Sequence, residues 1–276
     1  MSHHEYILGT RGSALALTQS RIAAETVISL YTEHQAHHGA ADAEVVDFTL
    51  RTVKTEGDVL TGPLANLGGT GVFAAALRQR LLDGENASEE NRVDMAVHSL
   101  KDLPSAPCPG LVIAATLKRE DPRDALVARD GLTVDTLPKG SRVGTGSPRR
   151  AAQLLAARPD LEVVDLRGNV PTRLARVRGL EVVGVGTDEP VAPSRADAAG
   201  DLDAVVLALS GLRRLGLEHC ASEVLDLETM LPAPAQGALA VEARAGEDCT
   251  ELARAAAALD DEPTRLAVTA ERALMA

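Results

Sequence analysis

Apolar residues recur with a period of two in short runs and with helical spacing in longer ones, which predicts strands followed by helices. Strands are predicted at 6–10, 45–51, 93–97, 111–117, 142–145, 161–166, 203–209 and 239–243. Helices are predicted at 14–30, 73–83 and 249–259, and also from Pro148, after Asn169 and from Pro263 onward. Alternating strands and helices indicate an α/β fold with mainly parallel sheets.

Two interruptions of this alternation indicate two domains joined by two crossings of the chain. They are the polar run EDPRDA at 120–125 and the turn rich in Pro and Ala at 231–236. A chain of 276 residues is long enough for two domains of ordinary size. Two sheet domains with two crossings resemble hinged binding proteins of the periplasmic type, with a cleft between the lobes.

Polar groups crowd the end of the strand predicted at 93–97, in the run VDMAVHSLKDLP. His98, Ser99, Lys101 and Asp102 follow that strand, at the edge of the sheet where α/β proteins bind ligands. Adjacent side chains point in different directions, so we expect Asp102 to face a cleft and Lys101 to be able to hold a substrate anion. The alternative is a strand end with a solvated Lys–Asp pair.

Arginines recur at the turns that join strands to helices, where backbone N–H groups already favour anions. Arginine matches carboxylates through two parallel hydrogen bonds, so the expected ligand is a small molecule with several carboxylates. A GC-rich genome also produces many arginines, so the inference rests on their positions. The arginines at these turns are Arg11, Arg149, Arg150, Arg167, Arg173, Arg213 and Arg214.

The turn GTGSPRR at 144–150 gives the sharpest of these signals. Ser147 fits the N-cap of a helix, and Pro148 fits the first helical position, where its missing N–H group costs nothing. Arg149 and Arg150 then lie in the first turn, where cations oppose the helix dipole. This placement is unfavourable unless an anion joins them, which predicts an anion site.

The run at 55–73 is rich in Gly and Thr and includes LGGTG at 67–71. Glycines there are costly to order, and a loop of this length is typically functional or flexible. We favour a lid over the cleft, and a flexible connection is the alternative. The residues of this lid are Asn66, Gly68, Gly69, Thr70, Gly71 and Phe73.

Composition narrows the classes of partner. A net charge of −12 disfavours nucleic acid. No apolar run reaches the length of a membrane span, and the first residues lack the pattern of a signal peptide, so we expect a cytoplasmic protein. Cys108, Cys220 and Cys249 show no CxxC spacing, which argues against a disulfide framework or a zinc site.

Nine stretches, in family order, resemble those of the porphobilinogen deaminases, also called hydroxymethylbilane synthases. They are TRGSALALTQ (10–19), PLANLGGTGVF (63–73), VDMAVHSLKDLP (93–104), REDPRDAL (119–126), GTGSPRR (144–150), LRGNVPTRL (166–174), LALSGLRRLGL (207–217), PAQGALAVEAR (234–244) and TAERAL (269–274). These stretches are spread along most of the chain, from residue 10 to residue 274, so the resemblance is far more specific than any one motif.

The resemblance implies a transferase of tetrapyrrole and haem biosynthesis. Members of the family join four porphobilinogen molecules head to tail, with loss of ammonia, and release a linear hydroxymethylbilane. The product grows on a covalent dipyrromethane cofactor, which a cysteine of the third domain holds. The resemblance also implies two hinged α/β domains followed by a smaller third one, with a monomer as the expected state and neither metal nor nucleotide required.

The resemblance assigns roles to residues as well. Asp102 would be the catalytic carboxylate, facing pyrrole nitrogens and the cation that forms as ammonia departs. The acetate and propionate groups of cofactor and substrate would be held by Arg11, Arg149, Arg150, Arg167, Arg173 and Arg214. The same cleft would be lined by Ser13, Gln19, His98, Ser99, Lys101, Thr145, Ser147, Gly168 and Gln236.

The chain departs from the family pattern at three places. Asn66 and Thr70 stand where many relatives carry loop lysines, and Gly146 stands where they carry the second serine of a TSS run. The chain ends at Ala276, before the segment expected to hold the cofactor cysteine, and its three cysteines do not match that position.

The two crossings of the chain give the expected domain bounds. We expect domain 1 at 1–117 and 236–256, domain 2 at 118–235, and a linker or start of a truncated third domain at 257–276.

Two function classes remain open on these grounds. The first is the enzyme, either complete in its natural form or completed by a partner. The alternative is a catalytically incomplete two-domain module that binds carboxylated pyrroles because the cofactor cysteine is missing. Covalent loading of the cofactor discriminates between them. A generic periplasmic solute binder is a third class, which the missing signal peptide disfavours.

Overall fold

The computed structural model describes residues 3–38, 45–54, 74–180, 200–246 and 259–275. Two of the sequence predictions fall largely outside these ranges. One is the lid at 55–73, and the other is the helix predicted from Cys249. The lid residues concerned are Asn66, Gly68, Gly69, Thr70, Gly71 and Phe73.

The chain divides into two compact units. Unit 1 is Met1–Arg119 with Ala238–Ala276, and unit 2 is Glu120–Gly237. Residues 118–119 belong to unit 1 and residues 236–237 to unit 2. The last helix, which the sequence analysis places in a linker or a third domain, packs as part of unit 1.

The described part of unit 1 is built on a five-stranded sheet, with strands and helices numbered here in chain order along the whole protein. Its strands are β1 His3–Thr10, β2 Val45–Thr52, β3 Met95–Ser99, β4 Leu111–Thr116 and β10 Leu239–Arg244. Its helices are α1 Ala14–His38, α2 Ala75–Asp83 and α6 Glu262–Ala273. The strand order is β2-β1-β3-β10-β4, in which β1 is parallel to both neighbours and β10 is antiparallel to both of its own.

The described part of unit 2 repeats this plan. Its strands are β5 Asp124–Ala128, β6 Arg142–Gly144, β7 Glu162–Val164, β8 Ala204–Ala208 and β9 Glu223–Val224. Its helices are α3 Pro148–Ala157, α4 Val170–Leu174 and α5 Leu209–Arg214. The strand order is β7-β6-β8-β5-β9, with β6 parallel to both neighbours and β5 antiparallel to both of its own.

Each sheet therefore contains one strand that runs against the other four, and it is the first strand after a crossing of the chain. In unit 2 this places Asp124, the first residue of β5, beside Ala208 at the end of β8. In unit 1 it places Leu239 beside Ser99 at the end of β3. The α/β class with mainly parallel sheets is confirmed, whereas β5 was missed because the sequence analysis assigned residues 120–125 to a crossing.

The core is made of Leu, Val, Ala and Met, as a chain with 1% aromatic residues requires. In β8, Val205 and Leu207 face one apolar cluster, and Val206 faces another on the opposite side of the sheet. A strand that is buried on both faces reads as a continuous apolar run, and each large side chain so buried contributes about 2 kcal/mol. Within the described residues, no helix has the length and apolarity that a bilayer crossing requires.

Candidate functional site

A pocket in unit 1 collects residues from the ends of two parallel strands. Arg11 directly follows β1, and His98 and Ser99 end the neighbouring strand β3. Asp102 is exposed at the end of the short 3₁₀ turn Leu100–Asp102 that follows β3. Gln19 of α1 completes the polar lining. Parallel strands bring their carboxyl ends to one edge, so residues separated in sequence meet there.

The 3₁₀ turn that carries Asp102 is held by two contacts, one with the hydrophobic core and one with α6. Leu100 and Leu103 are buried and anchor the turn to the core. Arg272 of α6 donates from Nη1 to the carbonyls of Leu100 at 3.1 Å and Leu103 at 3.0 Å. The last described helix thus fixes the backbone on both sides of the carboxylate. Lys101 lies half-buried on the same turn.

A buried charged group lies behind the pocket. Glu242 of β10 is 2% exposed, and its carboxylate accepts from Nε of Arg78 at 3.0 Å and from Nη2 at 2.8 Å. Nε2 of His98 lies 3.2 Å from Oε2 of Glu242. Burial by itself raises the pKa of Glu242, but the hydrogen bonds and charges of His98 and Arg78 outweigh burial and lower it. The sequence analysis missed the pair of Glu242 and Arg78, although a lone Glu within the apolar run LAVEA was the available signal.

The N-cap predicted at Ser147 is confirmed, and Ser13 and Asn169 cap helices in the same way. Ser13 Oγ accepts from Ala16 N at 3.3 Å, and Ser147 Oγ accepts from Arg150 N at 3.4 Å. Asn169 Oδ1 accepts from Thr172 N at 2.9 Å. These caps hold α1, α3 and α4 at the ends of the strands that precede them. The hydroxyls of Ser13 and Ser147 are therefore engaged in capping.

Apart from Gln236, the predicted residues of unit 2 follow the carboxyl ends of three adjacent strands, β7, β6 and β8. Thr145 is buried after β6, and its Oγ1 accepts from Ser147 N at 3.2 Å. Gly168 follows β7, and its carbonyl accepts from Nε of Arg173 at 2.7 Å. The same edge carries Arg149, Arg150, Arg167 and Arg214.

An internal carboxylate joins the arginines of the GTGSPRR turn. Asp124 is fully buried, and it accepts from Nη2 of Arg149 at 2.8 Å and from Nη2 of Arg150 at 2.7 Å. Burial by itself raises the pKa of Asp124, but the two arginines outweigh burial and lower it. Part of the anionic charge that the sequence analysis expected from a ligand is thus supplied by the chain itself. Asp124 was missed because its run was assigned to a crossing.

Gln236, predicted to line the cleft, is fully buried and bonds Asp124 instead. Its Nε2 donates to Oδ1 of Asp124 at 2.7 Å. The structure therefore places this side chain behind the arginines, in a supporting position.

Arg214 is a half-buried cation whose charge is weakly compensated. Nη2 of Arg214 donates to the carbonyl of Gly237 at 2.5 Å. Burial lowers the pKa of Arg214 to about 10, against a smaller opposing effect of Glu120. A carboxylate placed against this guanidinium would favour its charged form.

In the described part of unit 2, two guanidinium nitrogens are buried without an acceptor among the described residues. They are Nε of Arg150 and Nη1 of Arg167. Buried N–H groups are almost always hydrogen-bonded, so such atoms point to a ligand acceptor. Together with Arg214, they give unit 2 three places where an anion would improve the local balance of charge and hydrogen bonds.

We expect Gly146→Ser, which restores the residue of the family's TSS run, to destabilise this chain. A Cβ at position 146 would lie 2.6 Å from the carbonyl oxygen of Leu166, so the backbone after β7 must shift. Forcing atoms into a packed site costs about 1–3 kcal/mol. Chemical denaturation of the purified variant measures the loss.

Gly146→Ala is the matched control for this prediction. It adds the Cβ without the hydroxyl, so it should destabilise the chain as much as Gly146→Ser does. Wild-type stability in both variants would show that the turn accommodates the extra atom.

The cysteines of the described residues are free thiols, Cys108 and Cys220. Cys220 is 7% exposed in the core of unit 2, and burial raises the pKa of its thiol. A raised pKa disfavours the thiolate, which is the nucleophilic form. Cys220 is therefore poorly suited to covalent attachment. Cys249 lies outside the described residues.

Comparison with known proteins gives a family match over most of the chain. Residues 6–251 match the family described as porphobilinogen deaminase, dipyromethane cofactor binding domain. A porphobilinogen deaminase of Micrococcus luteus is 55% identical over 97% of this chain and 68% of its own length. Those of Cutibacterium acnes and Mycobacterium tuberculosis are 52% and 48% identical, over 97% and 98% of this chain and 71% and 73% of their own lengths.

Among solved structures, the methionine-binding protein MetQ gives a TM-score of 0.47 at 14% identity, over 98% of this chain and 95% of its own. A putative methionine-binding lipoprotein of Bacillus subtilis gives a TM-score of 0.46 at 13% identity, over 94% of this chain and 92% of its own.

Proposed function

The chain belongs to the porphobilinogen deaminase family, and from that premise we propose how its two units serve the family's reaction: unit 2 binds carboxylates of pyrroles, and Asp102 of unit 1 acts on the reacting pyrrole. Porphobilinogen deaminases are transferases of haem biosynthesis, also named hydroxymethylbilane synthases. They condense four porphobilinogen molecules into hydroxymethylbilane and release ammonia. The relatives matched at 48–55% identity carry the name of the enzyme, which favours the enzyme over a module that only binds.

The observation that carries the proposal is the excess of positive charge at the carboxyl ends of the strands of unit 2, where Asp124 compensates only part of the arginine charge. Arg214 is half-buried, and burial lowers its pKa to about 10. Arg150 and Arg167 each have a buried N–H group with no acceptor among the described residues. Acetate and propionate side chains of pyrroles supply planar anionic acceptors, which arginine binds through paired hydrogen bonds.

In unit 1, Asp102 has the exposure and the fixed backbone that a catalytic carboxylate needs. It lines a pocket with Arg11, Gln19, His98 and Ser99. We assign to Asp102 the binding of the substrate's pyrrole N–H and the stabilisation of the positive charge that develops as ammonia leaves. A preorganised carboxylate stabilises such charge without reorganisation at the moment of reaction. Arg11 would hold a substrate carboxylate in the same pocket.

The residues of unit 2 fit the anionic groups of the family's dipyrromethane cofactor. Its carboxylates would suit the buried guanidinium group of Arg150 and the half-buried ones of Arg167 and Arg214, and the cofactor, when bound, would supply the anchored primer to which pyrrole units are added. The attachment requires a thiolate, which the buried Cys220 does not readily provide. The absence of the attachment cysteine from this chain stays a prediction.

Three further statements remain proposals about this chain. The net charge of −12 supports a partner other than nucleic acid. The free thiols of Cys108 and Cys220 support a reducing compartment such as the cytoplasm. The monomeric state rests on the resemblance, and light scattering in solution tests it.

The test of the carboxylate-binding role is calorimetric titration of the chain with porphobilinogen. We expect Arg214→Leu to weaken binding about tenfold or more, because hydrogen bonds between charged groups are lost. The folded state should keep its stability, because the variant removes a half-buried cation rather than an ion pair. The measurement is the Kd of each variant together with its melting temperature.

Arg176→Leu is the matched control for this titration. Arg176 belongs to the same unit and pairs with Asp201, with its Nη2 2.6 Å from Oδ2. Its replacement should leave the Kd unchanged. Equal affinity of wild type and Arg214→Leu, or no binding by the wild type, would contradict the proposed role.

A further inference from the structure

The arginines of the GTGSPRR turn are positioned by a carboxylate from another part of the chain. The two oxygens of Asp124 accept from different arginines, Oδ2 from Arg149 at 2.8 Å and Oδ1 from Arg150 at 2.7 Å. Asp124 is 0% exposed, so these bonds are shielded from water. One carboxylate thus sets the positions of two guanidinium groups.

Gln236 holds this carboxylate in turn. Its Nε2 donates to Oδ1 of Asp124 at 2.7 Å and to the carbonyl of Pro122 at 2.7 Å. Gln236 is also 0% exposed. The carboxylate is therefore tied to the backbone immediately before β5. The arginines take their positions from this strand as well as from their own helix.

The charges of this cluster leave room for one ligand anion. Arg149 and Arg150 bring two positive charges, and Asp124 brings one negative charge, so one positive charge remains. Nε of Arg150 is buried without an acceptor among the described residues. A single ligand carboxylate would complete both the charge balance and the hydrogen bonding.

We propose that Asp124, held by Gln236, is a positioning residue that fixes the guanidinium groups of Arg149 and Arg150 in the arrangement that matches one carboxylate of a pyrrole ligand. The inference rests on the proposed function, because it names the ligand of the same edge. Asp124 itself faces the arginines and acts on the ligand through them.

Positioning and simple electrostatics predict opposite results when the carboxylate is removed. Asp124→Asn raises the net charge of the cluster by one, which strengthens the attraction for any small anion. The same change releases the two guanidinium groups, which weakens the binding of a ligand that is recognised by its geometry. A pair of probes therefore distinguishes the two roles.

The experiment titrates the full chain separately with porphobilinogen and with inorganic phosphate, and records the melting temperature of each variant. For Asp124→Asn we expect the Kd for porphobilinogen to rise about tenfold or more. The Kd for phosphate should stay the same or fall. A purely structural role would weaken both ligands together.

Asp203→Asn is the matched control. Asp203 is 6% exposed in the same unit and pairs with Nε of Arg129 at 2.8 Å and Nη1 of Arg178 at 3.2 Å. It precedes β8, whereas Asp124 lies beside the end of that strand. Asp203→Asn should therefore keep wild-type affinity for both probes.

Unchanged porphobilinogen affinity in Asp124→Asn would overturn the inference while leaving the proposed function intact. A wild-type chain that does not bind porphobilinogen would overturn the proposed function, and the inference with it. If Asp124→Asn does not fold, Gln236→Leu decides, because it frees the carboxylate without changing the charge. Weaker porphobilinogen binding with unchanged phosphate binding would then support positioning. Wild-type affinity of Gln236→Leu for both probes would overturn it.

Discussion

In enzyme that carries the cofactor, Asp102→Asn is expected to lower the rate of hydroxymethylbilane formation by about a hundredfold or more, with a much smaller loss of porphobilinogen binding because the arginines still hold the substrate's carboxylates. The amide keeps the size of the side chain but removes the negative charge that, in the proposed function, faces the developing cation. Losing one preorganised electrostatic contact at a reacting centre typically costs this much. Steady-state product formation and calorimetric titration measure the two effects separately.

Asp47→Asn is a suitable control for this variant. Asp47 is an exposed carboxylate of β2 in the same unit, and it is not part of the pocket lining. Its replacement should leave the rate unchanged. A wild-type rate in Asp102→Asn would remove Asp102 from the chemistry and return the turn to a solvated Lys–Asp pair.

Glu242→Gln is expected to lower the free energy of unfolding at pH 7 by about 3–5 kcal/mol, because breaking a buried ion pair leaves the partner charge uncompensated. Glu242 is 2% exposed, and its side chain bonds Arg78 and faces His98. Denaturant unfolding at several pH values measures the loss.

The pH dependence of this loss has a definite sign. The pKa of Glu242 in the folded state lies below the ordinary value of 4.5. Its ionised form therefore stabilises the folded state above pH 4.5, and that contribution is lost as the pH falls through the lowered pKa. The difference between wild type and Glu242→Gln should shrink over the same range.

Glu271→Gln separates burial from pairing in this experiment. Glu271 pairs with Arg119 in the same unit, but its side chain is 34% exposed. Partly exposed pairs contribute about 0–1 kcal/mol, so the control should change stability little. Equal losses in the two variants would contradict the importance of burial at Glu242.

Much of the fold follows from short-range patterns in the chain. Strand and helix positions depend on the spacing of apolar residues within about ten positions, which a single sequence displays. The caps at Ser147 and Asn169 depend on residues only three positions away. β5 and the two-residue strand β9 are exceptions. β5 was missed because its first residue, Asp124, belongs to a polar run that resembles a crossing.

The candidate site also has parts that short-range patterns predicted and parts that they did not. Asp102 was identified because it closes a predicted strand, and Arg11 because it directly follows another. Their convergence in one pocket requires β1 and β3 to be parallel neighbours, which the alternating pattern indicates. The lid residues and Cys249 lie outside the described residues, so their roles stay predictions.

By itself, the sequence determined the fold class, the order of most elements and the turns that carry the charged residues, because these depend on neighbours along the chain. The tertiary structure decided which distant residues bond and position those charged side chains. Gln236 reaches Asp124 across 112 positions, Arg78 reaches Glu242 across 164, and Arg272 reaches Leu103 across 169. Such pairings depend on which strands are antiparallel and on where the last helix packs, and no local pattern of residues specifies either.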